Sequence, residues 1–155
     1  MPIRPDISPS RRDAGVVSDP TGTVTERLRR AHRDVLAGVV AAAGAVVDGW
    51  DGETTSDRAA VVGPLREALV DAGLIERFPD VLADCLRAID REPPASIVPE
   101  PPYVAVTSLG PVLRATLSDG RLVATLRVFV VDRDGAARYR RGPTDPDDVP
   151  EVAFV

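Results

Sequence analysis

Five prolines between positions 93 and 102 (Pro93, Pro94, Pro99, Pro101 and Pro102) divide this chain into halves with different hydrophobic periods. Proline fixes φ and donates no backbone hydrogen bond, so neither a helix nor a central strand runs through such a stretch. Before it, apolar residues recur every three to four positions. After it they alternate. Helices followed by strands, rather than interleaved with them, argue against a βαβ architecture. The prediction is an α+β domain: three N-terminal helices packed on a C-terminal antiparallel meander of three to five strands. Residues 1–22 read as a disordered arm and 23–92 as the helical segment. Residues 93–102 are a stiff connector, 103–142 the sheet that completes one domain with the helices, and 143–155 an acidic tail that can add an edge strand.

The sheet is the best-specified part. Tyr103–Thr107 predicts one strand, and Val112–Leu117 and Arg121–Val131 predict a hairpin through Asp119-Gly120, a type I′ signal. That turn sets Leu113 against Leu126 and Leu117 against Leu122. Leu113, Ala115, Leu117, Leu122, Ala124, Leu126, Val128 and Val130 then share one face. A second turn at Asp134-Gly135 returns the chain through Ala136–Arg141; a two-residue turn puts Tyr139 on the core face, whereas a bulge would swap it with its neighbours.

The first helix is predicted over Val24–Asp48, with Thr23 and Glu26 at capping-box spacing. Leu28, His32, Val35, Val39, Ala43, Val46 and Trp50 form its apolar stripe. Ala37, Gly38, Ala41, Gly44 and Ala45 put small residues opposite, which predicts burial nearly all round and close approach by another backbone, that of a second copy being one candidate. A short helical turn capped by Ser56 or Asp57 is expected to break at Gly63-Pro64, and Pro64 to open a helix ending at Ala72 and Gly73. A last helix runs from Pro79 to near Asp90. The uncharged run Val35–Val47 spans only ~20 Å as a helix, short of a bilayer core of ~30 Å, so no membrane segment is predicted. Ser10-Arg11-Arg12 has the look of a twin-arginine export signal, but charged residues follow where its apolar stretch belongs.

Nineteen cations are all arginine, and lysine is absent. A GC-rich genome and a salt-rich cytoplasm both push that way, which points to a haloarchaeon first and a high-GC actinobacterium second. Net charge is −5, unevenly spread. Residues 1–92 carry 12 Arg against 16 acids, whereas 103–142 carry 7 Arg against Asp119, Asp132 and Asp134. The basic excess falls on the outward face of the predicted hairpin: Arg114, Arg121 and Arg127, with Phe129 among them and Arg138 and Arg140 beside them. Guanidiniums around an aromatic ring would suit phosphates and stacked bases. The plainer reading is a solvated sheet face in a protein that uses Arg where others use Lys.

Other candidates read as structural. Arg27, Arg29, Arg30 and Arg33 are expected to pair with Glu26, Asp34 and the acidic loop. His32, the only histidine, has no Ser, Cys or carboxylate at a recognisable spacing. Cys85, the only cysteine, lies on a core stripe between Asp80 and Asp84, which would raise its pKa. Asp145, Asp147 and Asp148 lack calcium-loop spacing. No phosphate-binding glycine loop, dinucleotide fingerprint, zinc pattern or nucleophile elbow is present. The helix preceding the strands is acidic, the wrong sign for the recognition helix of a winged-helix DNA reader.

The lysine-free composition, Tyr103–Thr107, Gly110–Asp132 and the ending Arg138–Gly142 together resemble small uncharacterised proteins of haloarchaea. The resemblance spans about the last third of the chain and implies no catalytic residues. The expectation is a cytoplasmic, non-catalytic interaction or assembly module without a cofactor or metal. Its partner would be a second copy, docked through helix 24–48, or another protein; nucleic acid bound on the arginine face is the alternative.

Overall fold

The structure, a computed structural model, describes residues 19–94 and 96–155. Most of the predicted N-terminal arm and the Ser10-Arg11-Arg12 motif lie outside the described residues.

Helix α1 (Pro20–Ala31) starts earlier than the capping-box spacing predicts. Asp19 is the N-cap, its carboxylate accepting from the Gly22 N–H, and Pro20 takes the first helical position. An Asp-Pro pair satisfies an orphan donor and presets φ together, which outcompetes Thr23. The predicted single helix is broken at His32, whose backbone (φ −125°, ψ 27°) leaves the helical region, and α2 (Arg33–Asp48) follows. Arg29 and Arg30 therefore sit in the last turn of α1, where the helix dipole favours cations, rather than at a helix start.

On α2 the apolar stripe is buried as the periodicity predicts, through Val35, Val39, Ala43 and Val46. The small-residue side is not. Ala37, Ala41 and Ala45 are exposed, so α2 is not buried all round within this chain. The two glycines flank that ridge and admit side chains rather than a backbone. A Cβ on Gly38 would meet Leu74 at 3.0 Å, and one on Gly44 would meet the Arg141 guanidinium at 3.0 Å. Arg141 lies against the helix and donates from an NH2 group to the Val40 carbonyl (3.2 Å).

Helix α3 (Ala59–Asp71) runs through Pro64 without the predicted break, and α4 (Leu74–Ala88) runs through Pro79. Arg58, not Ser56 or Asp57, is the N-cap of α3; the Asp57 carboxylate accepts from the Ala59 N–H at 2.9 Å just ahead of it. Gly73, at φ 73°, joins α3 to α4 in the left-handed conformation expected of it. The helices thus number four among the described residues.

The strands form two antiparallel sheets. The larger has the order β2 (Val104–Val106), β3 (Pro111–Leu117), β4 (Gly120–Leu126), β7 (Pro150–Phe154); the smaller is β1 (Thr54–Thr55), β6 (Arg138–Arg141), β5 (Phe129–Asp132). Its strand β1 comes from the helical half. The fold is α+β, with helices N-terminal and all strands but β1 C-terminal.

The hairpin register differs from the predicted one by two residues. Leu117 pairs with Gly120 and Leu113 with Ala124, around a Ser118-Asp119 loop. The cause lies in β7. Arg121 and Val155 exchange backbone hydrogen bonds (2.7 and 3.0 Å), which draws Gly120 into the ladder. A Cβ there would lie 2.5 Å from the Phe154 ring and 2.9 Å from the Val155 carbonyl, so the glycine serves close approach rather than the turn. A two-residue shift preserves parity. Leu113, Ala115, Leu122, Ala124 and Leu126 remain inside, under α4 and α1.

Parity fails after Leu126. The predicted strand Arg121–Val131 breaks at Arg127-Val128, where the Val128 and Phe129 N–H groups both donate to the Leu109 carbonyl. The chain leaves one sheet for the other, and consecutive Val128 and Phe129 are both buried. The second turn is a five-residue loop, 133–137, with Asp132 paired to Arg138 and Val131 to Tyr139. Tyr139 is buried.

Candidate functional site

The helices cover one face of the larger sheet. On the other face, alternation projects Ala105 from β2, Val112, Arg114 and Thr116 from β3, Arg121, Val123 and Thr125 from β4, and Glu151 and Ala153 from β7. Arg114 and Arg121 are exposed and make no ion pair among the described residues. Arg127, just past the end of β4, is half-buried and donates from Nη1 to Glu151 at 2.9 Å.

The six residues expected on one arginine face do not stay together. Arg114, Arg121 and Arg127 belong to the larger sheet. Arg138 and Arg140 belong to the smaller one, where Arg138 donates to the Thr54 hydroxyl (2.6 and 3.2 Å) and Arg140 pairs with Asp132 (2.9 Å). Phe129 is fully buried, stacked on Trp50 with centroids 5.9 Å apart. It cannot stack a ligand, because the break at 127–128 moves it one position out of the outward parity.

The acidic tail neutralises only one corner of the face. Glu151 reaches Arg127. Asp147 pairs with Arg33 and accepts from Arg29 through its carbonyl (2.9 Å), and Asp145 lies 3.9 Å from Arg33. These contacts clamp the 145–148 segment onto α1 and α2. Of the predicted local pairs, Arg30–Glu26 forms at 3.3 Å, whereas Asp34 is taken by Arg77 at 2.9 Å.

Beside Arg127 lies a cleft of about 440 Å³, lined from β3, β4, β5 and the segments that flank them. Leu109, Val112 and Val131 line it, with Arg127 and Arg133, and hydroxyls come from Ser108 and Thr125. Arg133 lies in the 133–137 loop. Nothing in the local pattern marks it, since apart from Val131 its neighbours in the cleft come from two distant segments, 107–112 and 125–127.

His32 has a partner that spacing does not reveal. Its Nε2 lies 2.7 Å from an Asp84 oxygen, and Arg27 clasps the same carboxylate through Nε (2.7 Å) and an NH2 group (2.9 Å). The break between α1 and α2 puts the imidazole over α4, 52 positions away along the chain. The Arg27 hydrogen bonds, reinforced by His32, hold the Asp84 carboxyl below the ordinary aspartate range. Cys85 faces the other way, into the core, and burial with the neighbouring Asp84 charge pushes its thiol up to about 12. Among the described residues no cluster of three or more His, Cys, Asp or Glu side chains forms a metal site, and no helix is long and apolar enough to cross a membrane.

A family model described as Domain of unknown function (DUF7988) matches residues 22–154, and the chain belongs to that family. No curated protein and no solved structure matches it.

Proposed function

We propose that this member of the DUF7988 family is a non-catalytic binding module whose working surface is the uncovered face of its larger sheet, and that its partner carries negative charge. One observation carries the reading: among the described residues Arg114 and Arg121 stand exposed, without acidic partners, on a face that none of the four helices covers, in a chain of net charge −5. The groups that acid–base or thiol chemistry would use are engaged elsewhere. The Asp84 carboxylate is bonded to both His32 and Arg27, and Cys85 is buried with a raised pKa.

The lysine-free composition supports a haloarchaeal cytoplasm as the setting. Molar salt shortens the Debye length to about 3 Å, so only contact-range interactions survive there. Arginine suits that condition, because its planar fork grips an oxyanion at contact through two parallel hydrogen bonds.

The test is titration of a single-stranded polynucleotide over a salt series, with the parent and the triple variant Arg114→Gln/Arg121→Gln/Arg127→Gln. Losing three phosphate contacts should make the negative slope of log K against log salt shallower by about 2. Equal affinity of parent and variant at the lowest salt overturns the reading.

The exposed ridge Ala37, Ala41 and Ala45 favours a second reading, self-association through α2. Side chains this small allow close helix–helix contact, and three successive turns carry no charge on that side. Light scattering reads the outcome. A dimer that Ala41→Glu converts to monomer supports it, and a monomeric parent at high concentration removes it.

A further inference from the structure

The cleft at the Arg127 end of the sheet face combines two chemistries that the rest of the face keeps apart. Leu109, Val112 and Val131 give it apolar walls, and Arg127 and Arg133 bring two guanidiniums to its rim. The 107–110 loop forms a stiff side. The Thr107 hydroxyl donates to the Gly110 carbonyl (2.8 Å) and accepts from the Leu109 N–H (3.2 Å), and Gly110 sits where a Cβ would lie 1.9 Å from the Leu126 carbonyl. Arg127 gives only its Nη1 to Glu151, and a guanidinium has five N–H donors, so most remain for a ligand. Arg133 makes no ion pair or side-chain hydrogen bond among the described residues.

We propose that this cleft binds one nucleotide unit, its phosphate held between Arg127 and Arg133 and its base laid against Leu109, Val112 and Val131. The proposal rests on the reading of the sheet face as an anion-binding surface and says which anion it takes. Two forked guanidiniums match the several acceptor oxygens of a phosphate. A bare phosphate would leave the apolar walls unused in a space the size of a small-molecule site. A planar base fills them, and arginine planes also stack on bases. The unit has two sources, a free mononucleotide or one residue of a single strand. A strand would continue along β4 toward Arg114 and Arg121. Arg121 lies six residues from Arg127, about 20 Å along an extended strand. A duplex, whose bases are paired and stacked, cannot supply the base.

The experiment titrates the full chain at low salt with four probes: inorganic phosphate, adenosine monophosphate, a single-stranded oligonucleotide and its duplex. Two variants are compared, Arg133→Gln in the cleft and Arg114→Gln/Arg121→Gln on the open face. The expected result is that the mononucleotide binds more tightly than phosphate and the single strand more tightly than the duplex. Arg133→Gln should weaken both nucleotide probes by about tenfold, the loss of one charge-assisted contact. The open-face variant should weaken the single strand alone. Phosphate binding as tightly as the mononucleotide overturns the proposal. So does single-strand binding that falls in the open-face variant but not in Arg133→Gln, an outcome that leaves the broader sheet-face reading standing. Absence of binding by every probe overturns both.

Discussion

The indole N–H of Trp50 donates to the backbone carbonyl of Ala60 at 3.0 Å, and that carbonyl is the one Pro64 deprives of its helical donor. In an α-helix the residue-60 carbonyl accepts from the residue-64 N–H, and proline has none. The expected break at Gly63-Pro64 does not occur, because a side chain from outside the helix supplies the missing bond. The other side of the relationship is packing: Trp50 also stacks on Phe129, so one residue joins α2, α3 and β5.

Trp50→Phe keeps an aromatic ring against Phe129 and deletes the N–H. It should cost about 1 kcal/mol in urea unfolding, the worth of one hydrogen bond. Pro64→Ala returns a backbone donor to the helix, so the two substitutions should couple. Strict additivity in the double mutant would show that the Ala60 carbonyl does not depend on Trp50.

Asp84 should shape the acid limb of stability. Its folded pKa is depressed below the ordinary value of 3.8, chiefly by Arg27 and then by His32. Its contribution is therefore fully present above about pH 4 and is lost as pH falls through the folded value, where the unfolded chain binds more protons. Asp84→Asn should flatten that limb in acid titrations followed by circular dichroism. Asp34 and Asp119, depressed by Arg77 and Arg91, keep theirs, so the limb shrinks without vanishing. An unchanged acid limb in Asp84→Asn would contradict the assignment.

Gly110 is held at φ 146°, and a Cβ there would lie 1.9 Å from the Leu126 carbonyl. Gly110→Ala should destabilise by at least about 2 kcal/mol, since backbone strain and a clash act together. Thermal unfolding measures it, and a melting temperature within a degree or two of the parent would refute the close approach.

The Cys85 thiol, buried and raised to about 12, should be inert to a thiol-specific disulfide reagent at pH 8 in the native protein. In denaturant it should react fully. Native labelling as fast as the denatured control would mean that α4 opens readily and that the core assignment is wrong.

Parity within an element was legible from the chain alone. Alternation around Asp119-Gly120 places Leu113, Ala115, Leu122, Ala124 and Leu126 inside, and Arg114 and Arg121 outside, because side-chain direction is a local property of a strand. The helical stripe through Val35, Val39 and Val46, the core position of Cys85 and the left-handed Gly73 follow from equally local rules. What depends on contact between distant segments needed the tertiary structure. Pairing with β7 slid the hairpin register by two, and the crossing between sheets took Phe129 off the arginine face. Trp50 rescued a helix across Pro64, and the break at His32 carried the imidazole to Asp84. The cleft around Arg127 and Arg133 belongs to the same class, assembled from residues 107–112, 125–127 and 131–133. Local spacing carries no trace of it, because no one segment contains enough of the site to leave a pattern.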